Sequence, residues 1–169
     1  MRKVLIIDDN HAFADNLAEI LVDAGHMVVI ADSCAQALKL TAATRFDVLI
    51  SDMRMPEMGG AELGAQWKRG ASAYKSISVA GFPNLFMMPG PNSGPGHNSY
   101  LYYMEAQFDY TVQGVKAILD GNLAQLDVRP GVQAAFNRDI QKRLAGTNWN
   151  SGCKSWYLDR NGVPASWPW

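Results

Sequence analysis

Short apolar runs alternate with helix-length amphipathic segments over the first fifty residues, and this alternation limits the possible folds. The runs predicted as buried strands are residues 3–8, 27–31 and 47–51. Residues 11–24 carry apolar side chains at helical spacing and end at Gly25, and a second helix is predicted from Asp32 or Ser33 to about residue 44. Because strands that alternate with helices form parallel sheets, the sequence predicts an α/β fold with a short parallel sheet in its front half.

Acidic residues follow two of these predicted strands. Asp8 and Asp9 come after the first strand, and Asp52 comes after the third. The carboxyl ends of neighbouring parallel strands meet at one edge of the sheet, where close carboxylates repel one another unless a cation neutralises them. Oxygen ligands of this kind suit Mg²⁺. The alternative is a set of exposed acids without a metal, but the doublet, its spacing to Asp52 and the following MRMPEMGG at 53–60 favour a functional site.

With IDDN at 7–10 and LISDMRMPEMGG at 49–60, residues 1–63 resemble the response-regulator receiver domain of two-component systems. The resemblance implies a flavodoxin-like sheet, a phosphoprotein and phosphorelay-type signalling. It makes Asp52 the phospho-acceptor and implies a Mg²⁺ ion held by Asp9, Asp52 and the Arg54 carbonyl, with Asp8 helping through water. The expected partner is a histidine kinase or a small phosphodonor.

The receiver pattern stops after Leu63. A receiver continues with two further strands, which end in a hydroxyl residue and a lysine that contact the phosphoryl oxygens. Three strands alone leave an open sheet edge that something must cover. The resemblance therefore implies a partial receiver with impaired signal transmission.

Composition changes abruptly after this point. Residues 1–63 hold five Lys or Arg and ten Asp or Glu, whereas residues 64–169 hold ten and six. All five Trp and all six Tyr lie after residue 66. Such a step is what a joined chain would show, although two ordinary domains could also show it.

The back half predicts a strand, two helices and an irregular Trp-rich tail. The strand is expected at residues 84–88, followed by an irregular stretch at 89–96 with three Pro and three Gly. A long helix is expected from about residue 99 to 119, and a further helix from Pro130 to about Leu144. One arrangement uses 84–88 as a substitute fourth strand of the front sheet, which would bring Ser93 near Asp52.

About residues 66–169 resemble the C-terminal part of FAD-dependent Baeyer–Villiger-type flavin monooxygenases. The segments that carry the resemblance include GFPNLFMMPGPNSGPGHNS at 81–99, MEAQ at 104–107, RPGVQ at 129–133 and WNSGCKSWY at 149–157. The resemblance implies that the following residues face the FAD ring: Gly90, Pro91, Asn92, His97, Asn98 and Ser99. The alternative is that Gly and Pro only make a sharp turn and that Asn98 only caps a helix.

The nucleotide-binding fingerprints of that family are absent from the sequence. No Gly-x-Gly-x-x-Gly follows a strand anywhere in the chain, so the dinucleotide phosphates have no cradle. The resemblance implies FAD, but without these fingerprints FAD and NADPH binding are expected to fail, and the chain is not expected to be an active monooxygenase by itself. Three hypotheses stay open: a signalling module, a monooxygenase remnant that needs another chain, and a fusion or truncation product without activity.

The expected organisation is a partial receiver-like domain at 1–63, a junction at 64–80 and a monooxygenase-like segment at 81–169. The net charge of −1 gives no attraction to nucleic acid or to an anionic membrane, and no apolar run is long enough to span a bilayer. Two distant cysteines fit a reducing cytoplasmic setting. The tail tryptophans Trp149, Trp156 and Trp167 are expected to expose apolar surface to a protein partner.

Overall fold

The chain divides into two units, Met1–Gln66 and Trp67–Trp169. The computed structural model describes residues 1–52, 63, 67–94, 99–121, 123–150, 158–159 and 161–165. The elements of the first unit are β1 (Lys3–Ile7), α1 (His11–Asp23), β2 (Met27–Ala31), α2 (Cys34–Ala43) and β3 (Val48–Ser51). Those of the second unit are α3 (Tyr100–Asp120) and α4 (Pro130–Leu144), with 3-10 turns at Trp67–Arg69 and Asn148–Asn150.

The first unit is built on a parallel sheet with the strand order β2-β1-β3. The central strand β1 is the most deeply buried, and Val4 to Ile7 are each no more than 4% exposed. Leu5 and Ile7 pack with Ala31, Cys34 and Ala37 in one core. The predicted strands, helices and parallel sheet of the front half are confirmed.

Polar contacts at the amino ends of β1 and β3 fix the register of these two strands. The backbone N–H of Lys3 donates to Asp47 Oδ2 at 2.7 Å, and the Asp47 N–H donates to the Lys3 carbonyl at 2.8 Å. Arg2 also pairs with Asp47 at 3.8 Å. This register places Ile7 opposite Ser51, so Asp8 and Asp52 are the next residues beyond the carboxyl ends of the two strands.

Helix α1 keeps part of its apolar stripe exposed. Asn10 caps the helix by accepting a hydrogen bond from the Phe13 N–H at 3.2 Å, and Gly25 follows with a positive φ of 84°. Ala14 is the buried residue of the helix, whereas Phe13 is 54% and Ile20 is 65% exposed. The three strands that the sheet has among the described residues leave both side chains largely exposed.

In the second unit both predicted helices are confirmed. Pro130 lies at the start of α4, where its missing N–H costs no hydrogen bond, and Gly121 caps the end of α3. Two amide side chains of α4 bind loops. Gln133 Oε1 accepts from the Ala80 N–H at 2.6 Å, and Asn137 Nδ2 donates to the Ala73 carbonyl at 3.0 Å. Helix α4 is therefore docked by polar contacts as well as by buried Ile140 and Leu144.

The predicted strand at residues 84–88 is wrong. Asn84 has a positive φ of 63°, and its N–H donates to the Leu126 carbonyl at 2.9 Å, while the Met87 N–H donates to the Ile77 carbonyl at 2.8 Å. The backbone of this segment thus bonds to two separate loops instead of forming a ladder. The arrangement that used it as a fourth strand, with Ser93 near Asp52, loses its basis.

No helix within the described ranges is both long and apolar enough to cross a membrane.

Candidate functional site

The carboxyl edge of the sheet carries the predicted acids of the first unit. Because Ile7 pairs with Ser51, Asp8 and Asp52 are the first residues beyond β1 and β3. The Asp52 N–H donates to the Ile7 carbonyl at 3.1 Å, and the Asp8 N–H donates to the Ala31 carbonyl at 3.1 Å. Both backbones are therefore held in place by bonds that extend the strand ladders.

The three acids differ in their surroundings. Asp8 is 8% exposed, and its Oδ1 accepts a hydrogen bond from the Asn10 N–H at 2.8 Å. Asp9 is exposed and Asp52 is partly buried, with the Ser51 hydroxyl donating to the Asp52 carbonyl at 3.0 Å. Asp8 therefore helps to form the turn that begins α1, while Asp9 and Asp52 are reached by solvent.

The donor chemistry at this edge suits a hard divalent cation such as Mg²⁺, which prefers carboxylate oxygens. Within the described ranges, however, no three His, Cys, Asp or Glu side chains form a group that could hold a metal ion. Arg54, the source of the predicted carbonyl ligand, lies outside the described residues. The predicted Mg²⁺ site therefore stays a prediction, supported by the shared edge of Asp8, Asp9 and Asp52.

Two of the residues predicted to face a flavin, Gly90 and Asn92, lie against other parts of the protein. Asn92 is 7% exposed; its N–H donates to the Ala165 carbonyl at 2.8 Å and its Nδ2 donates to the Pro164 carbonyl at 3.0 Å. A Cβ at Gly90 would lie 2.0 Å from the Ser76 carbonyl oxygen. Gly90 and Asn92 therefore pack against other backbone segments of the second unit.

The remaining residues predicted to face the flavin are Pro91, His97, Asn98 and Ser99. Pro91 is half-buried in the same turn, and Ser99 precedes α3 as its N-cap, without a side-chain hydrogen bond to the helix. His97 and Asn98 lie outside the described residues. The role of this set toward a flavin stays a prediction of the resemblance.

Sequence reasoning missed a cavity in the second unit. Residues from two loops and from both helices line this space of about 290 Å³: Lys75, Ser76, Ile77, Asn92, Ser93, Tyr103, Ala106, Gln107, Tyr110, Phe136 and Ile140. One signal was present in the sequence, because Gln107 follows Tyr103 by four residues and precedes Tyr110 by three. That spacing places a polar residue on the aromatic face of a helix.

Comparisons with known proteins find relatives of two kinds. The model of the family "Response regulator receiver domain" matches residues 4–88. A response regulator receiver protein of Anaeromyxobacter sp. is 58% identical over 69 residues, which cover 41% of this chain and 29% of the relative. A Baeyer-Villiger monooxygenase of Pseudomonas aeruginosa is 43% identical over 100 residues, which cover 59% of this chain and 19% of the relative.

A solved structure also matches the chain. The chemotaxis response regulator CheY4 of Vibrio cholerae is 38% identical, with a TM-score of 0.35, over 40% of this chain and 62% of that one. The chain spans about a fifth of the Pseudomonas monooxygenase and less than a third of the Anaeromyxobacter protein. The family match extends over half of the chain, whose front half folds as a parallel α/β sheet. The chain therefore belongs to the response regulator receiver domain family, and its receiver part is joined to a segment similar to the C-terminal part of Baeyer–Villiger monooxygenases.

Proposed function

We propose that the chain is a phosphorelay-type signalling module in which Asp52 accepts the phosphoryl group. The observation that carries this proposal is the register of β1 and β3, which places Asp8, Asp9 and Asp52 at one edge of the sheet. Functional groups of parallel α/β sheets gather at this edge. The family match over residues 4–88 supports the same function.

The proposed reaction is an attack by a carboxylate oxygen of Asp52 on the phosphorus of a donor. The bond from phosphorus to the leaving group breaks, and an aspartyl phosphate forms. The backbone hydrogen bond from Asp52 to Ile7 holds Asp52 at the sheet edge. Because Asp52 is only partly buried, its carboxylate stays accessible to a small donor. Asp9, Asp52 and the Arg54 carbonyl would hold a Mg²⁺ ion, with Asp8 helping through water, and that ion would neutralise charge on the transferred group.

Signal transmission is proposed to be impaired. Within the described part of the chain no fourth strand follows β3, so neither a hydroxyl residue nor a lysine is positioned from a later strand of this sheet. Phosphorylation would then proceed without the conformational response that those two groups drive in receivers. A histidine kinase or a small phosphodonor in the cytoplasm is the proposed source of the phosphoryl group.

The test is intact-protein mass spectrometry after incubation with acetyl phosphate and Mg²⁺. We expect one phosphoryl group to be added to the wild type, and none to be added when Mg²⁺ is chelated or when Asp52 is replaced in Asp52→Asn. Asp15→Asn is the matched control, because Asp15 is an exposed carboxylate on α1 and does not follow the end of a strand. An unmodified wild type, or equal labelling of Asp52→Asn, would show that Asp52 is not the acceptor.

The second candidate is a monooxygenase remnant, which the 43% identity to the Pseudomonas enzyme favours. In this proposal the chain is inactive alone, and another protein docks at the Trp-rich tail and supplies the nucleotide-binding domains. Titration of the purified chain into FAD, followed by flavin fluorescence, tests whether any flavin site survives. Quenching that saturates would support the remnant, whereas unchanged fluorescence would leave the monooxygenase-like segment without a cofactor role in this chain.

A further inference from the structure

We propose that helix α3 binds the same helix of a second copy of this chain, and that the two helices run antiparallel. The contact surface is the α3 stripe, which consists of Leu101, Phe108, Val112 and Leu119. This stripe belongs to the second unit and takes no part in the acidic edge of the sheet. The inference is therefore independent of the proposed phosphorelay function.

The two sides of α3 differ in an unusual way. The buried residues of this helix are Gln107 and Gly114. By contrast, Leu101, Phe108 and Val112 are 68%, 47% and 50% exposed. Helices of globular proteins turn their apolar face toward the core. Because α3 does the opposite with these side chains, its apolar stripe is available to a partner.

The four residues of the α3 stripe lie on one narrow face of the helix. They follow one another at intervals of seven, four and seven residues. At about 100° of turn per residue, these positions fall within about 40° of one another and extend for about 27 Å along the axis. Intervals of this kind form the seam along which two helices pack side by side. The α3 stripe is therefore shaped for another helix.

The α3 stripe is complementary to itself when one copy is turned end to end. With a two-fold axis midway between Phe108 and Val112, Phe108 lies opposite Val112 of the second copy. The same axis places Leu101 opposite Leu119 of the second copy. Each pairing occurs twice in such a contact, which is the commonest kind in homo-oligomers. Every apolar side chain of one stripe thus meets an apolar side chain of the other.

Two opposite charges beside the stripe favour the antiparallel direction. Glu105 and Lys116 are both exposed, and both lie about 40–60° to the same side of the stripe. In the antiparallel pair, Glu105 of one copy and Lys116 of the other share a flank and lie about 1.5 Å apart along the axis. A parallel pair would place each charge level with its own copy instead. The charges therefore complement a second copy of this chain in one direction only.

These two charges are also available to a partner. Within the part of the chain that the structure describes, neither Glu105 nor Lys116 forms an ion pair. Opposite charges at the edge of a helix seam set the choice and direction of the partner helix. The antiparallel pair would give each dimer two such ion pairs.

Two features limit the strength of the pair. Asp109 is exposed on the same flank, about 80° from the stripe, where it would lie close to its own copy. A contact made by one helix of each copy is also smaller than the roughly 1,200 Å² of a standard interface. We therefore expect a reversible dimer with a dissociation constant on the order of 10–100 µM.

The test is sedimentation equilibrium of the full chain at concentrations from about 5 to 500 µM. We expect the wild type to pass from monomer to dimer in this range. Val112→Ser should raise the dissociation constant about tenfold, because each dimer loses two apolar contacts. Val132→Ser is the matched control, since it makes the same change on α4 at a side chain that is 43% exposed. It should leave the dissociation constant unchanged.

Charge reversal tests the direction of the pair. Glu105→Lys and Lys116→Glu each replace two ion pairs with two like-charge pairs, and each should weaken the dimer about three- to tenfold at low salt. The chain that carries both substitutions has both ion pairs again, with their signs exchanged. Its dissociation constant should return to within a factor of about two of the wild-type value.

Three results would overturn the proposal. A wild type that stays monomeric at every concentration would leave the α3 stripe to a different protein. Equal dissociation constants for Val112→Ser and Val132→Ser would place the dimer contact elsewhere. A double charge reversal as weak as the single ones would exclude the antiparallel pair. All four substituted side chains are exposed, so each variant is expected to fold, and far-ultraviolet circular dichroism checks that it does.

Discussion

At the scale of single residues, Gly90 is a position where the fold leaves no room for a side chain. A Cβ there would lie 2.0 Å from the Ser76 carbonyl oxygen and 2.8 Å from its carbonyl carbon. Because backbone atoms cannot move aside as a flexible side chain can, Gly90→Ala should displace one of the two loops. We expect this substitution to lower the free energy of unfolding by about 1–3 kcal/mol, as overpacking does.

Urea unfolding followed by Trp fluorescence measures this change, since all five Trp lie after residue 66 and report on the second unit. Gly131→Ala is the control: Gly131 lies in the first turn of α4, where an added Cβ meets nothing within 4 Å. Alanine there should be neutral or stabilising by up to about 1 kcal/mol. Equal midpoints for the two variants would mean that Gly90 is not packed against Ser76.

At the scale of elements, β1 carries the stability of the first unit. Leu5 is fully buried in this central strand, against Ala31, Cys34 and Ala37. Leu5→Ala should lower the free energy of unfolding by about 2–5 kcal/mol, because the side chains around it can only partly refill the space. Leu38→Ala on α2 removes the same atoms from a side chain that is 70% exposed, and should change stability by no more than about 0.5 kcal/mol. Thermal melts followed by far-ultraviolet circular dichroism compare the two, and similar losses would contradict a core centred on β1.

The same elements show what sequence reasoning can and cannot predict. The alternation of strands and helices up to Ser51 was predictable because apolar periodicity is a local signal, and the position of Asp8 and Asp52 followed from the geometry of parallel sheets. The apolar residues at 85–87 gave an equally local strand signal, but their backbone partners are Ile77 and Leu126, which no local pattern specifies. The cavity around Gln107 was not predicted either, because the residues that line it come from four segments that are distant in sequence.

At the scale of the whole molecule, the question is whether an acidic edge built on three strands is a working site. Beryllofluoride imitates a phosphoryl group on a carboxylate, and a ligand that binds only the folded state stabilises it by mass action. At a tenfold excess over the dissociation constant, Mg²⁺ with beryllofluoride should add about 1.4 kcal/mol. In a unit of this size the midpoint of the wild-type melt should then rise by about 5–10 °C, and that of Asp52→Ala should not.

Two optical signals separate the units in this experiment. Circular dichroism follows both units, whereas Trp fluorescence follows Trp67–Trp169 alone. A rise in the dichroism midpoint of the wild type, absent in Asp52→Ala, would mean that the carboxylates assemble a binding site without the later receiver strands. A cooperative melt that the ligand leaves unmoved would mean a folded front unit without receiver chemistry, and a melt without any cooperative transition would favour a joined fragment. The Trp fluorescence melt gives a further result. If its midpoint rises together with the dichroism midpoint, ligand binding at Asp52 also stabilises the monooxygenase-like segment.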